Sequence, residues 1–511
     1  MMMVLAALPL TTAVIAAVPQ DADDLRRALE EIERLKQSNA ALAEKVGVLE
    51  EKVVQGNDAT WLTEQRANEI RAIVTDVLTD ATTRTNLADG GTGGYDAKKG
   101  FYLASADGNY TLQIKGETQF RWAYTSRDVG TATAAQGSPS STTSGDVWGF
   151  EVRRARMTFY GTVVDPSWYY ELKLGFVRGN GQGLLEDAFV EKKFDGGVSL
   201  RAGQFKAPFL RESIDSVTGL MAVERSLVDS FFTAGRPQGL RLALESEFVR
   251  VEGFYGDELS ALGSAPYSIV GDAAADLNAS PALGVPGSFN SGYTAVQTDY
   301  AFIGRIEAKT AGEWKQFKDM QSFRGETAAA LFGLAGYIQQ VAPISNANGA
   351  TPDVMWSATA DMRIDFGGSS IFIYGVYRDV SLQAAQPTRG GDDADDLQQW
   401  GAVAQGGYFL TDNIEAFLRY ELGNSDTDKY RVQASADEAE GEQLSVLTVG
   451  ANYWPLGVKN RIKLSGDFGY SFAPLIDFAS NGANWLPDYT EANGATSSGE
   501  WVIRTQLQFQ F

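Results

Sequence analysis

The side chains that could do chemistry here are arginines, lysines and carboxylates at alternate positions of short apolar segments. Arg154 and Arg156 lie in "EVRRARMTFY", Lys173 lies in "YYELKLGF" and Arg201 lies in "LRAGQF". A guanidinium group can hold two oxygens of a phosphate or carboxylate at once, so this spacing could bind anions. Carboxylates such as Glu171 share the same faces. Ion pairs that brace a polar wall are therefore an equally good interpretation.

Composition argues against most enzyme classes. The 511 residues include no histidine and no cysteine, so Ser-His-Asp, Cys-His and histidine–metal chemistries have no general base or ligand. We therefore predict no catalytic residue, no metal site and no cofactor, and a hydrolase is a distant alternative. The formal net charge of −22 argues against nucleic acid as a partner, because a phosphate backbone requires excess basic residues.

The elements that must position these charges are predicted to be strands. From residue 101 to residue 511, about sixteen segments of about ten residues alternate apolar with polar side chains, which is typical of a transmembrane β-barrel. In the last segment, "WVIRTQLQFQF", the apolar face would meet lipid and the polar face a water-filled lumen. This strand must pair with the first one, near "LQIKGETQF", because no backbone group can stay unpaired in hydrocarbon.

The connections between these segments alternate in length. Short turns at 165–167, 195–197, 366–369 and 411–413 alternate with long connections at 128–147, 209–238, 257–297 and 472–499. Outer-membrane barrels have short periplasmic turns and long outer loops, so both termini are predicted to lie in the periplasm. A soluble β-sandwich would explain the strands but not this regular alternation.

The first hundred residues have a different organisation. Residues 1–19 resemble a signal peptide, and residues 25–55 carry a heptad pattern that predicts a parallel, self-associating coiled coil. Asn39 occupies a core position of the coil, where it would cost stability and fix the register. A second helical segment (61–87) and a Gly-rich linker (88–100) follow. A single helix packed on its own chain is the alternative to the coil.

Several blocks resemble the phosphate-selective porin O and P family. They are "GFYLASADGNYTLQIKGETQFRW", "EVRRARMTFYGTVVDPSWYYELKLGF", "LEDAFVEKKF", "LRAGQFKAPF" and "ERSLVDSFFTAGRPQGL". The resemblance implies a sixteen-stranded, homotrimeric outer-membrane channel whose third outer loop, here about 209–238, folds inward. The terminal Phe511 resembles the assembly signal of outer-membrane barrels. The coiled coil departs from the founding members of this family, and we expect it in the periplasm.

These observations predict an all-β protein, a 16-stranded antiparallel transmembrane barrel preceded by a helical coiled coil. We expect passive diffusion of small hydrophilic solutes with a leaning towards phosphate-type anions. The alternative is a plugged barrel that tethers the outer membrane to the cell wall through the coil. Lipid and lipopolysaccharide would surround the barrel. The candidate anion contacts are Arg154, Arg156, Lys173, Arg201, Arg211, Arg225, Arg236, Arg241 and Arg305.

Overall fold

Alternating apolar and polar side chains produce strands throughout the barrel. The structure, a computed structural model, describes residues 91–96, 100–126, 146–176, 181–257, 298–341, 352–387, 393–426, 443–457, 461–475 and 499–511, with Lys36, Lys45, Leu259, Phe478 and Trp485. The strands are β1 (Thr92–Asp96), β2 (Gly100–Ala104), β3 (Thr111–Ser126), β4 (Asp146–Val163), β5 (Asp165–Phe176), β6 (Gly183–Lys193), β7 (Val198–Gln204), β8 (Gln238–Glu245), β9 (Val249–Gly256), β10 (Thr298–Lys309), β11 (Ala329–Val341), β12 (Pro352–Asp365), β13 (Ser369–Pro387), β14 (Asp393–Phe409), β15 (Ile414–Asn424), β16 (Gln443–Tyr453), β17 (Ile462–Ser471) and β18 (Trp501–Gln510).

Sixteen of these strands, β3–β18, form a closed antiparallel barrel, as the sequence predicts. Each strand pairs with its neighbour in the chain, and β18 closes the sheet against β3 from Trp501↔Ser126 to Gln510↔Glu117. Closure pairs every strand on both sides, so the barrel has no free edge. The prediction that the last strand pairs near "LQIKGETQF" is confirmed.

Side chains along β18 show how the barrel separates two environments. Ile503, Leu507 and Phe509 point outward and are exposed, whereas Arg504 and Gln508 point inward and are buried. The outward residues form the apolar band that hydrocarbon requires. The inward residues belong to a polar lumen that is filled largely by other parts of the chain.

The connections follow the predicted alternation with one departure. Short turns join the strands at the end of the barrel that holds Gln510, and longer connections lie at the other end. At the short-turn end, however, β10 and β11 are joined by residues 310–328, which include a 3₁₀ helix at Trp314–Lys318. The long connection 205–237 contains helices α1 (Arg211–Ile214) and α2 (Leu227–Phe232).

The barrel unit is Ala88–Phe511, and it begins with two short strands outside the barrel. β1 pairs with β2, and β2 pairs with β3. Within residues 88–100, expected to be a Gly-rich linker, Thr92–Asp96 pairs with β2 through its backbone. The signal peptide, the coiled coil with Asn39 and the helical segment 61–87 lie outside the described residues, apart from Lys36 and Lys45, which are helical. None of the described helices is long and apolar enough to cross a membrane.

The seam of the barrel ends in a contact between Gly116 and Phe511. The Gly116 N–H donates to the Phe511 carbonyl at 3.0 Å, and the Phe511 N–H donates to the Gly116 carbonyl at 3.1 Å. The Phe511 ring covers Gly116 so closely that an added Cβ would lie 2.0 Å from the ring. The terminal aromatic residue therefore fits a glycine on the strand that completes the barrel.

We predict that Gly116→Val lowers the stability of the folded barrel by about 1–3 kcal/mol, because the new side chain must displace the Phe511 ring. Urea unfolding in lipid vesicles would measure this change. Gly304→Val is the matched control, since an added Cβ there meets nothing within 4 Å. Equal unfolding midpoints for the two variants would contradict the proposed fit.

Candidate functional site

The connection 205–237, named here the constriction loop, folds into the lumen. Its apolar residues, including Phe209, Met221 and Phe232, are buried against inward side chains of the barrel wall such as Tyr374 and Phe417. The Ser226 side chain caps α2 by accepting from the Asp229 N–H at 2.9 Å. The loop therefore has its own apolar side, which fixes it against one part of the wall.

The carboxylate of Glu224, at the centre of this loop, forms ion pairs with three arginines. Arg121 Nη2 lies 2.6 Å from its carboxylate, Arg153 Nε lies 2.5 Å away and Arg154 Nη2 lies 2.7 Å away. Glu224 and Arg121 are buried. Paired charges of this kind are strong where water is excluded, so Glu224 ties the loop to β3 and β4.

A second ionic cluster ties the start of the loop to β10 and β12. Arg211 Nη1 lies 3.0 Å from Glu307, and Arg305 bridges Glu307 and Asp361 at 2.8 Å each. Arg305 also donates to the Phe209 carbonyl at 2.8 Å. All of these charges are buried, so they hold the loop and do not meet solutes.

Backbone N–H and C=O groups of the constriction loop form hydrogen bonds with side chains of β15–β18. Lys463 donates to the Leu220 carbonyl at 2.8 Å, and Asn452 donates to the Met221 carbonyl at 2.8 Å. The Val223 and Leu227 N–H groups donate to Asp467 and Glu421. Buried backbone groups need such partners, which explains why this side of the lumen is polar yet closed to water.

Residues 310–328, named here the floor segment, meet the loop from the other end of the barrel. The Met320 N–H donates to the Gly219 carbonyl and Gln321 Nε2 donates to the Leu220 carbonyl, both at 2.8 Å. Arg211 also donates to the Phe317 carbonyl. Loop and floor segment thus form one packed body beside β10–β18.

The remaining wall, β4–β9, carries partly exposed cations and is named here the open wall. In several ion pairs beside this wall the arginine is more exposed than its carboxylate: Arg201 is 20% exposed and Glu191 is 7%. On the loop edge, Arg236 is 16% exposed and its partner Asp187 is 8%. Arg225 is 18% exposed and Asp229 is 3%. At these pairs water meets the guanidinium group more than the carboxylate, whereas in the Arg250–Glu245 pair the carboxylate is the more exposed partner, at 48% against 20%.

Several cations lie near Lys206 where the loop faces this wall. Arg225, Arg236 and Lys173 lie close enough to Lys206 to repel its charge, and Asp187 lies close enough to attract it. Lys206 Nζ donates to the carbonyls of Ile214 and Asp215. The potential at this edge is set by these cations and Asp187 together.

The structure divides the predicted anion contacts into two groups. Arg211 and Arg305 are buried in the ion pairs that anchor the loop. The others are partly exposed on the open wall or on the loop: Arg154, Arg156, Lys173, Arg201, Arg225, Arg236 and Arg241. Their contact with anions stays a prediction.

Sequence reasoning missed Arg121, Arg153 and the role of Glu224. Strict alternation would place Arg153 on the lipid face, opposite in direction to Arg154. A β-bulge makes Gln119 pair with Arg154 and Phe120 with Val152, so Arg153 reaches Glu224 as well. A charged residue is costly on the lipid face, and that cost was the signal for a bulge.

One protein-family model matches part of this chain. The model of the family described as "Phosphate-selective porin O and P" matches residues 133–275. The match covers the region of the open wall and the constriction loop. Together with the closed barrel, it supports an outer-membrane channel. No curated protein sequence gave a significant match.

Several solved structures superpose weakly. OmpF of Salmonella typhi in complex with daunomycin has 13% identity and a TM-score of 0.44, covering 79% of this chain and 98% of that chain. The outer-membrane channel DcaP of Acinetobacter baumannii has 14% identity and a TM-score of 0.44, covering 78% and 97%. An anion-selective porin from Comamonas acidovorans has 10% identity and a TM-score of 0.42, covering 78% and 99%.

We predict that Glu224→Gln loosens the constriction loop, because three arginines lose their shared charge partner. Removing one partner of a buried ion pair costs about 3–5 kcal/mol. Single-channel recordings of the reconstituted protein should show increased current noise, with a lower unfolding midpoint. Glu245→Gln is the control, because its pair with Arg250 is more exposed and lies outside the constriction loop. Identical noise in both variants would exclude an anchoring role for Glu224.

Proposed function

We propose that the protein is a diffusion channel of the outer membrane with a modest preference for small anions. The carrying observation is the difference in exposure within three ion pairs, one on the open wall and two that involve the constriction loop. Arg201, Arg225 and Arg236 each present more surface to water than the carboxylate beside them. In a narrow, partly desolvated passage such a difference counts more than the net charge of −22, because salt screens exposed charges beyond a Debye length of about 8–10 Å.

The same geometry argues against tight phosphate binding. Arg156 donates through Nε to Glu186 and through Nη1 to Glu117. Arg236 is similarly engaged with Asp187 and Glu186. A guanidinium that already holds carboxylates has few donors left for a bidentate phosphate contact. Anions should therefore pass along these side chains without being trapped.

Reversal potentials under a KCl gradient test this proposal. We expect Cl⁻ to be favoured over K⁺ by less than about tenfold, which corresponds to less than about 1.4 kcal/mol. Replacing Arg201 and Arg225 together by Gln should move the reversal potential towards cation preference. These two are suitable because their carboxylate partners depend little on them. Glu191 keeps Arg241 as a partner, and Asp229 is only loosely paired with Arg225, at 3.6 Å.

Arg324→Gln is the control for this double substitution. Arg324 is a basic residue of the floor segment, and its side chain is 44% exposed. Its replacement should leave the reversal potential unchanged. A clear preference of the wild-type channel for K⁺ would overturn the proposal, and so would phosphate block at micromolar concentration.

A structural tether remains a second candidate function, favoured by one observation. The loop and the floor segment bury the inward side chains along β10–β18, so a large part of the lumen is filled. If the remaining passage does not conduct, the barrel would act as an anchor and the periplasmic coil would contact the cell wall. Absence of conductance after reconstitution, with the barrel folded, would favour the tether.

We further propose a homotrimer with a parallel coiled coil at 25–55 in the periplasm. In a trimer Asn39 would lie on the axis, where it can pair with its own copies. Asn39→Ile in the full-length protein should raise the melting temperature of the helical signal and weaken the choice of register or oligomer. Crosslinking and circular dichroism would measure both effects. A lower melting temperature in this variant would contradict the placement of Asn39.

A further inference from the structure

Two tyrosine rings and three lysines lie together on the lumen side of β3–β6, at the short-turn end of the barrel. They are named here the tyrosine–lysine patch: Lys115, Tyr160, Tyr169, Lys173 and Lys193. The ring centroids of Tyr160 and Tyr169 are 6.4 Å apart, and the ring planes are tilted by 51°. Lys115 Nζ lies 4.2 Å from the centroid of the Tyr160 ring, and Lys193 Nζ lies 5.9 Å from that of Tyr169. Aromatic faces and positive charge therefore share one surface.

The strand register places these side chains on the inner face of the wall. Side chains two residues apart on a strand share a face. Tyr169 and Lys173 flank Glu171 on β5 at this spacing, and Tyr160 is the direct partner of Glu171 on β4. Leu172, which alternates with them, is exposed on the outer wall. The other two lysines reach the same tyrosine rings from β3 and β6.

The three lysines differ from the arginines of the open wall in their partners. Among the residues that the structure describes, no carboxylate lies within ion-pair distance of Lys115, Lys173 or Lys193. Arg156 and Arg201, by contrast, are each held by at least one carboxylate. An ammonium group has three donors and no acceptor, so the lysines of the patch keep donors available for a solute.

Most carboxylates beside the patch are already engaged. Glu117, Asp187 and Glu191 each pair with an arginine, at 2.8, 2.9 and 2.7 Å. Glu171 accepts a hydrogen bond from the Tyr169 hydroxyl at 2.8 Å. In the described part of the chain, the patch therefore sets three lysines against one carboxylate, that of Glu171, without a basic partner.

We propose that the tyrosine–lysine patch is a binding subsite for planar aromatic carboxylates that pass through the lumen. The ring of such a solute packs against the tyrosine rings, and its carboxylate accepts hydrogen bonds from the lysines. Aromatic rings attract one another when their centroids lie about 4.5–7 Å apart in stacked or edge-to-face arrangements. This inference rests on the proposed channel function for access, and it names a class of solute for that channel.

The tyrosines favour an aromatic solute over phosphate or an aliphatic acid. Phosphate would use only the ammonium groups, and the rings would contribute nothing to its binding. Lys115 is exposed, and its flexible stem lets the ammonium group move from the Tyr160 ring to a carboxylate. The exchange is favourable because a charge-assisted hydrogen bond is stronger than a cation–π contact at an exposed site. It also uncovers a tyrosine face for the ring of the solute.

Saturation-transfer NMR of the full-length protein in lipid nanodiscs tests the subsite, because it measures weak binding without requiring conduction. The probes are benzoate and cyclohexanecarboxylate, which have the same charge and similar size but differ in aromaticity. We expect benzoate to bind more tightly. Tyr160→Leu should weaken benzoate binding about 2- to 10-fold and leave cyclohexanecarboxylate binding unchanged. Tyr95→Leu is the control, because Tyr95 is exposed on β1, outside the barrel wall.

The charge of the patch is tested separately. Lys115→Gln/Lys193→Gln should weaken the binding of both probes by similar factors. Lys315→Gln on the floor segment is the control, since Lys315 is exposed and already pairs with Glu313. Equal affinity of the wild type for the two probes, no binding of either, or benzoate binding that both patch variants leave unchanged would overturn the proposal. A conducting channel with any of these results would refute the subsite alone, whereas the expected binding in a barrel that does not conduct would refute the channel function alone.

Discussion

Pairing of backbone N–H and C=O groups is the constraint on which this structure depends. In hydrocarbon each unpaired group costs several kcal/mol, so a sheet that crosses the membrane must close on itself. Here closure is completed by β18 against β3, and the terminal Phe511 exchanges two backbone hydrogen bonds with Gly116. Closure then forces successive side chains to face lipid and lumen in turn.

This arrangement places charged side chains inside the lumen, where many of them are buried away from water. Such charges need partners, and the chain supplies them by folding the constriction loop inward. Glu224 gathers three arginines of the wall, and Glu307 is shared by Arg211 and Arg305. The ion pairs that hold the loop in place therefore also neutralise charged side chains of the wall. Charge stays accessible to water mainly where the loop does not press against the barrel.

Much of this architecture could be predicted from the sequence, because the two environments alternate with the period of a strand. The barrel, its closure, the side of the short turns and the inward direction of Arg201 or Arg305 all follow from that period. The partners of Glu224 could not be predicted, because they come from distant parts of the chain. The floor segment could not be predicted either, since it has no strand pattern, whereas the bulge was signalled by the charge of Arg153 at a lipid-facing position.

The off-centre position of the constriction loop has a consequence for how this protein can change over evolutionary time. The side chains that hold the loop lie mostly on β10–β18, whereas those that meet water lie mostly on β5–β9. Substitutions on β5–β9 therefore change water-facing side chains while the fold keeps its anchors. Under the proposed channel function, adaptation to a new solute would require few compensating mutations, because the strands that would set specificity are largely separate from those that anchor the loop.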